Sequence, residues 1–154
     1  MHITDAQRPT LALDCDEITA FLETEFPQMQ IGRIFTIEEV GPMRARLRMI
    51  YHPSQLRPGG TISGPSIFAL ADVALYVAIL AQIGRVKLAV TTNLNINFLA
   101  KPAPRDLIGE ALLVKLGKRL AVGEVRIASA GEEVLAAHAT GTYSIPPRGD
   151  DTVS

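Results

Sequence analysis

The chain has 154 residues, 47% of them hydrophobic, which is enough for one folded domain with a sizeable core. Fifteen lysines and arginines against sixteen aspartates and glutamates give a net charge of −1, which excludes binding to nucleic acid or an anionic membrane through bulk charge. The single cysteine, Cys15, excludes an intramolecular disulfide and the usual thiolate zinc sites.

The N-terminal part predicts a flexible end, one helix and two strands. Their expected bounds, in chain order, are residues 1–10, 15–26, 31–39 and 43–51. The first residues lack the basic start and apolar core of a signal peptide, so we expect a cytoplasmic protein. The second strand alternates apolar residues with Arg44, Arg46 and Arg48. One of its faces is therefore buried, and the other carries three guanidinium groups to solvent or a partner.

A long apolar segment follows an irregular loop, and Asp72 is the only charged residue between positions 61 and 83. Pro65 suits the first turn of a helix, and Ser63 can cap its free amides. The segment is long enough to cross a membrane, but a carboxylate near its middle and strand patterns on both sides favour a core helix. A carboxylate in such a place costs several kcal/mol unless it is compensated. Asp72 therefore either fixes the packing through a buried partner or performs chemistry.

The C-terminal half predicts four strands and a disordered tail. Their expected bounds are residues 87–99, 107–116, 120–128, 133–143 and 146–154. Alternation in the first of these strands places Leu94, Ile96 and Phe98 on one face, and Thr91 and Asn93 on the other. Strands this regular beside one buried helix predict a single α+β domain over residues 11–145, an antiparallel sheet wrapped around the helix.

Four motifs occur in a fixed order between positions 31 and 145. They are Ser63-Gly64-Pro65, Leu70-Ala71-Asp72, Asn95-Ile96-Asn97-Phe98-Leu99 and Gly117-Lys118-Arg119-Leu120-Ala121-Val122. In this order and spacing the chain resembles the hotdog-fold acyl-CoA thioesterases, specifically the PaaI-like branch related to the phenylacetate-pathway enzyme. The resemblance implies the hotdog fold, an acyl-CoA substrate and a homodimer or homotetramer with sites between paired subunits.

The resemblance also implies three catalytic roles. Asp72 would be the general base or nucleophile, the Gly64 backbone N–H would polarise the thioester carbonyl, and Thr91 would help to hold the water. Such parts suit the chemistry, because negative charge develops on the carbonyl oxygen and N–H donors at a helix N-terminus stabilise it. Gly64 and Asp72 are eight residues apart, about 12 Å along a helix. They cannot both touch one thioester, so a site shared between two subunits is predicted.

Five residues are candidates for binding the substrate. Members of the family commonly have histidine-glycine-glycine where this chain has Ser63-Gly64-Pro65, and asparagine where it has Arg57; Pro65 removes one helix-terminal N–H, whereas Ser63 keeps a hydrogen-bond donor. Arg57 would neutralise an acidic group or a phosphate, although an exposed loop arginine commonly has no special role. Lys118 and Arg119 either meet the phosphates of coenzyme A or are ordinary surface charge. Tyr76, one helical turn from Asp72, either lines the acyl pocket or packs.

Two other functions stay open. The altered turn before the helix favours a protein that binds acyl-CoA without turnover, whereas Asp72 has no obvious use in such a protein. His52 ahead of Pro58-Gly59 is distantly similar to the hotdog dehydratases, although its separation from Asp72 is too long for their pattern. His2 and His138 have no partner at ligand spacing, so neither a metal nor another cofactor is expected.

Overall fold

The chain forms two α-helices and eight strands within residues 10–147, the part that the computed structural model describes. The helices are α1 (Cys15–Glu25) and α2 (Gly64–Ile83). The strands are β1 (Phe35–Gly41), β2 (Arg44–Met49), β3 (Leu56–Arg57), β4 (Thr61–Ile62), β5 (Val90–Phe98), β6 (Leu107–Leu116), β7 (Leu120–Ser129) and β8 (Leu135–Ser144). Short 3-10 turns follow α1 at Pro27–Met29 and β2 at Pro53–Gln55. The predicted flexible ends fall almost wholly outside the described residues.

Six of the strands form one antiparallel sheet in the order β1-β2-β6-β7-β8-β5, and β3 and β4 form a separate short hairpin. The sheet packs around α2, so the predicted α+β hotdog architecture is confirmed. Each predicted element is present with bounds shifted by a few residues. β5 lies at one edge of the sheet, with one side hydrogen-bonded to β8.

The helix α2 lies close to the sheet because glycines face it. Gly123 on β7 and Gly141 on β8 are directly paired, and Leu75 of α2 lies over both. A Cβ atom at either position would be 2.7 Å from a Leu75 methyl carbon, well inside van der Waals contact. An 18-residue window of α2, with a mean hydropathy of 2.0, is also long and apolar enough to cross a membrane, but 67% of that window is buried inside the protein. That burial is typical of a core helix.

The arginines of β2 lie on the outer face of the sheet, as their alternation predicts. Arg46 and Arg48 both bind the carboxylate of Glu38, at 3.0 and 2.9 Å. Arg48 also reaches Asp106 at 3.1 Å, and Arg46 reaches Glu110 at 3.5 Å. Arg44, on the same face, binds Glu39 at 2.6 Å. These partly exposed pairs contribute at most about 1 kcal/mol each.

Candidate active site

Asp72, halfway along α2, is held by two hydroxyl groups from the sheet. Thr91 Oγ1 donates to Asp72 Oδ1 at 2.6 Å, and the Tyr143 O–H donates to the same oxygen at 2.6 Å. Both distances are typical of hydrogen bonds to an ionised carboxylate. Within residues 10–147 no lysine or arginine forms an ion pair with Asp72. The carboxylate is therefore compensated by neutral donors rather than by an arginine.

A β-bulge in β5 turns Thr91 toward Asp72. Simple alternation predicted Thr91 on the same face as Asn93, and that prediction is wrong. Thr91 is paired with Tyr143, and pairing resumes at Asn93, so Thr92 is an inserted residue. Directly paired residues on antiparallel strands point to the same face, so Thr91 shares the inner face with Tyr143. A bulge re-aims side chains in this way, and here it gives the carboxylate its second donor.

Tyr143 is itself fixed by packing. The residue is 4% exposed, and its ring stacks on that of Tyr76, with ring centroids 5.9 Å apart and an interplanar angle of 7°. Burial, and then the neighbouring Asp72 carboxylate, raise the pKa of the Tyr143 phenol well above its ordinary value. Tyr143 therefore keeps its proton and acts as a donor. Tyr76 is buried in the core and donates to the Val86 carbonyl at 3.0 Å, so its surroundings are those of a packed core residue.

Asp72 lines an open cavity of about 420 Å³. The residues of α2 that border it, Ser66, Ala69, Asp72 and Val73, recur at the spacing of one helix face. The 3-10 turn after α1 and the turn after β2 form the opposite walls. Seven of the thirteen described residues that border the cavity are apolar, five are uncharged polar residues, and Asp72 is the only charged one. A cavity of this size, lined by apolar and polar side chains together, is suited to a small molecule.

The first turn of α2 leaves one backbone amide free. Ser63 caps the helix, because its Oγ accepts from Ser66 N at 3.4 Å and donates to Ser66 Oγ at 3.0 Å. Pro65 has no N–H, and the Gly64 N–H has no acceptor within residues 10–147. An unpaired amide at the positive end of a helix favours an anionic oxygen. The Ser63 hydroxyl, a predicted substrate contact, is occupied by capping.

Gly64 and Asp72, both on α2, contact opposite ends of the neighbouring strand β5. The Phe98 ring, at the end of β5, lies against Gly64, with Cζ 3.3 Å from the position that a Cβ there would take. Asp72 contacts Thr91 at the start of the same strand. Phe98 is 53% exposed, which leaves this end of β5 open to solvent. Within one chain, therefore, the free amide and the carboxylate are not brought together.

The remaining predicted contacts lie outside the Asp72 cavity. Arg57 is exposed on the β3–β4 hairpin. Lys118 and Arg119 are exposed in the turn between β6 and β7 and border a second cavity of about 600 Å³, which includes Ile83 at the end of α2. Ile83 is about 16 Å along the helix axis from Asp72. Among the described residues, no group of three or more histidine, cysteine, aspartate or glutamate residues could hold a metal ion.

Sequence reasoning missed Tyr143 and Gln55 as parts of the site. Tyr143 continues the inward-facing series of small residues on β8, and a buried tyrosine hydroxyl needs a hydrogen-bond partner, so its strand position was an available signal. Gln55 is 5% exposed and borders the cavity, and its side-chain amide donates to the Ile50 carbonyl at 3.0 Å. Its place in an irregular loop carried no comparable signal.

Comparison with known proteins connects this arrangement to one family. The model of the thioesterase superfamily matches residues 59–136, about half of the chain, including Gly64, Asp72 and Thr91. The crystal structure of a candidate thioesterase from Silicibacter sp. TM1040 is 48% identical, covers 92% of this chain and 97% of its own, and superposes with a TM-score of 0.82. A candidate esterase of Saccharolobus solfataricus is 29% identical over 130 residues, which are 84% of this chain and 78% of that protein.

A variant of the phenylacetic acid degradation protein PaaI from Thermus thermophilus shares the fold. It is 24% identical, covers 78% of this chain and 99% of its own, and has a TM-score of 0.67. The predicted family and the predicted activity class are thus confirmed, whereas the individual site residues, the oligomer and the cytoplasmic location stay predictions. The chain belongs to the thioesterase superfamily, and it is a hotdog-fold thioester hydrolase.

Proposed function

We propose that the protein hydrolyses acyl-CoA thioesters, with Asp72 as the general base or nucleophile and the Gly64 backbone N–H polarising the carbonyl. The observation that carries this proposal is the environment of the Asp72 carboxylate. It borders an otherwise uncharged cavity and is held by two hydroxyls, with no cation among the described residues to neutralise it. A carboxylate kept in this way is available for chemistry.

The reaction requires only groups that the chain provides. As a base, Asp72 takes a proton from water while the water oxygen bonds to the carbonyl carbon. The carbon–sulfur bond then breaks, and the proton passes to the thiolate, which gives a carboxylic acid and a thiol. As a nucleophile, a carboxylate oxygen bonds to the carbonyl carbon and the thiolate leaves. Water then hydrolyses the resulting anhydride, which gives the carboxylic acid and the regenerated Asp72 carboxylate, and the proton released from water passes to the thiolate. Both routes place negative charge on the carbonyl oxygen, where the Gly64 N–H would stabilise it.

A two-fold dimer through the free edge of β5 would complete the site. Four large apolar side chains in or beside β5, between 46% and 57% exposed, favour burial against a second copy: Leu88, Val90, Phe98 and Leu99. Two copies of one strand that pair antiparallel about a two-fold axis place the Thr91 end of one beside the Phe98 end of the other. Gly64, which contacts Phe98, would thereby face Asp72 of the second copy. A dimer of two such dimers would repeat the same site.

The substrate contacts follow from the same arrangement. Arg57 lies on the hairpin that precedes Gly64, so it would meet the substrate near the carbonyl. Ser63 would act through the cap that orients the Gly64 amide. Lys118 and Arg119 would receive phosphates of coenzyme A at the far end of α2. Tyr76 would contribute only by packing against Tyr143.

The two alternatives have weaker support. A pure binder of apolar acyl groups would gain nothing from a carboxylate in the cavity wall. For a hydratase, His52 would need to reach the carboxylate, but its Nδ1 accepts from Ser54 N at 3.1 Å and caps the 3-10 turn. Thioester hydrolysis gives a role to both the Asp72 carboxylate and the free Gly64 amide, so we prefer it.

The direct test is hydrolysis of a panel of short-chain, medium-chain and aromatic acyl-CoAs, with the released thiol detected by a chromogenic disulfide. We expect turnover by the wild-type protein and its loss in Asp72→Asn, which keeps the shape of the side chain. Turnover that is unchanged in Asp72→Asn would remove Asp72 from the mechanism. Binding of acyl-CoA without turnover in the wild type would favour the binding protein.

A subunit-mixing experiment tests the shared site separately. Asp72→Asn and Gly64→Pro subunits are each expected to be inactive alone. Random reassociation in equal amounts gives about half mixed dimers, each with one intact site of two, so about a quarter of wild-type activity should return. Unmixed samples at the same concentration are the control. If activity stays absent after subunit exchange has been verified by mass spectrometry, the two groups do not act across an interface.

A further inference from the structure

The two oxygens of the Asp72 carboxylate are in different environments. Oδ1 accepts from Thr91 Oγ1 and from the Tyr143 O–H, each at 2.6 Å. Within residues 10–147 no donor reaches Oδ2. A carboxylate oxygen has two lone-pair positions, and both positions on Oδ1 are therefore occupied. Oδ2 is left as the oxygen with capacity for water or for a thioester carbon.

Tyr143 has little freedom to release this hydrogen bond. It is directly paired with Thr91 across β5 and β8, which fixes the spacing of the two hydroxyls. Its ring is buried and stacked on Tyr76, one helical turn from Asp72 on α2. Its hydroxyl oxygen also lies 3.0 Å from the backbone carbonyl oxygen of Asp72, so the ring is positioned against the helix backbone itself.

The two donors differ in rigidity. Thr91 is half-buried on an edge strand, beside a bulge, whereas Tyr143 is buried on β8, which has neighbours on both sides. If Thr91 were the only donor, the Asp72 carboxylate would move together with the edge of the sheet. The pair together fixes both the position of Oδ1 and the rotation of the carboxylate about its Cβ–Cγ bond.

Resting on the function proposed above, we propose that Tyr143 is a positioning residue for catalysis: with Thr91 it occupies both lone pairs of Oδ1, and Oδ2 becomes the oxygen that reacts. Tyr143 acts through Asp72 and touches neither water nor thioester. Its raised pKa is consistent with this role, because the phenol stays protonated and donates at any working pH. The assignment holds for either role of Asp72, since base and nucleophile both need one free oxygen at a fixed position.

The test is Tyr143→Phe, which keeps the stacked ring and removes the donor. A carboxylate that can rotate is misplaced by up to about 1 Å, so kcat should fall roughly 10- to 100-fold, while KM stays within about twofold. Thr142→Val is the matched control, because it removes a hydroxyl from the next residue of β8 on the outer face and should leave kcat unchanged. Replacement of Tyr143 by 4-aminophenylalanine, which restores a donor on the same ring, should recover most of the lost kcat.

Several outcomes would overturn the proposal. They are an unchanged kcat in Tyr143→Phe, a change confined to KM, or no recovery with 4-aminophenylalanine. Crystal structures of the Tyr143→Phe and wild-type proteins decide the matter without an activity assay, because the Asp72 carboxylate should be rotated or disordered only in the variant, and an unmoved carboxylate would refute positioning. If the wild type hydrolyses no acyl-CoA, the proposed function fails, and the crystallographic comparison still tests Tyr143 by itself.

Discussion

Replacing Gly64 by proline should remove the oxyanion donor while leaving the helix start intact. Ser63 has φ −71° and ψ 152°, the extended conformation that a residue before proline adopts, and proline is favoured at the first position of a helix. The Gly64 amide has no acceptor among residues 10–147, so its removal breaks no hydrogen bond there. Pro65 already lacks an N–H, and the Ser66 amide is capped by Ser63. No substitute donor therefore remains in the first turn.

The expected loss is the full value of one oxyanion donor, roughly 3 kcal/mol of barrier, which is on the order of 100-fold in kcat. Gly64→Ala is the matched control, because it keeps the N–H. Its Cβ would lie 3.3 Å from Phe98 Cζ, but that ring is 53% exposed and can move. Alanine should therefore cost less than about threefold. Steady-state kinetics on one acyl-CoA compares the variants, with folding verified by circular dichroism. Equal kcat values for the proline and alanine variants would refute the oxyanion role of Gly64.

Substitutions in three other parts of the molecule give further tests. Thr91→Val should lower kcat by about tenfold, because it removes a hydrogen bond to a charged group, whereas Thr91→Ser should retain activity in the same kinetic assay. Lys118→Ala and Arg119→Ala should each raise KM for an acyl-CoA and leave KM for the matching N-acetylcysteamine thioester unchanged, since that substrate has no phosphates. Gly141→Ala should lower the free energy of unfolding by about 1–3 kcal/mol in urea, because its Cβ would lie 2.7 Å from a leucine of the central helix. Gly117→Ala, whose nearest contact would be at 3.4 Å, should change it little.

The central helix and its carboxylate were predictable from the sequence because both depend on local pattern. An apolar run with one acid, a capping serine and a proline in the first turn identifies α2 and Asp72 without any tertiary information. The face of Thr91 was not predictable. A bulge at Thr92 depends on how β5 pairs with β8, and no glycine marks it in the sequence. A one-residue insertion reverses the face of everything beyond it, so alternation placed Thr91 on the wrong side.

The walls of the cavity were beyond sequence reasoning for a different reason. Most of them come from the turn after α1 and the turn after β2, which are distant in sequence from Asp72 and irregular in structure. Turns of this kind have no periodic signal, and their mutual position is decided only when β1 and β2 pair. Tyr143 is an intermediate case. Its strand was predicted, and a buried hydroxyl needs a hydrogen-bond partner, but the identity of that partner depends on how α2 packs on β8.

One strand connects the two halves of the proposed site. The start of β5 holds Thr91 against Asp72, and its end holds Phe98 against Gly64. In a two-fold dimer, the register of β5 against its copy alone decides how far the free amide lies from the opposing carboxylate. A slip of two residues would keep every side chain on its face and yet displace the two groups by about 7 Å, which would separate a hydrogen-bond donor from its carbonyl. The apolar side chains exposed along β5 would then contribute to catalysis as well as to association, because their packing is what selects one register.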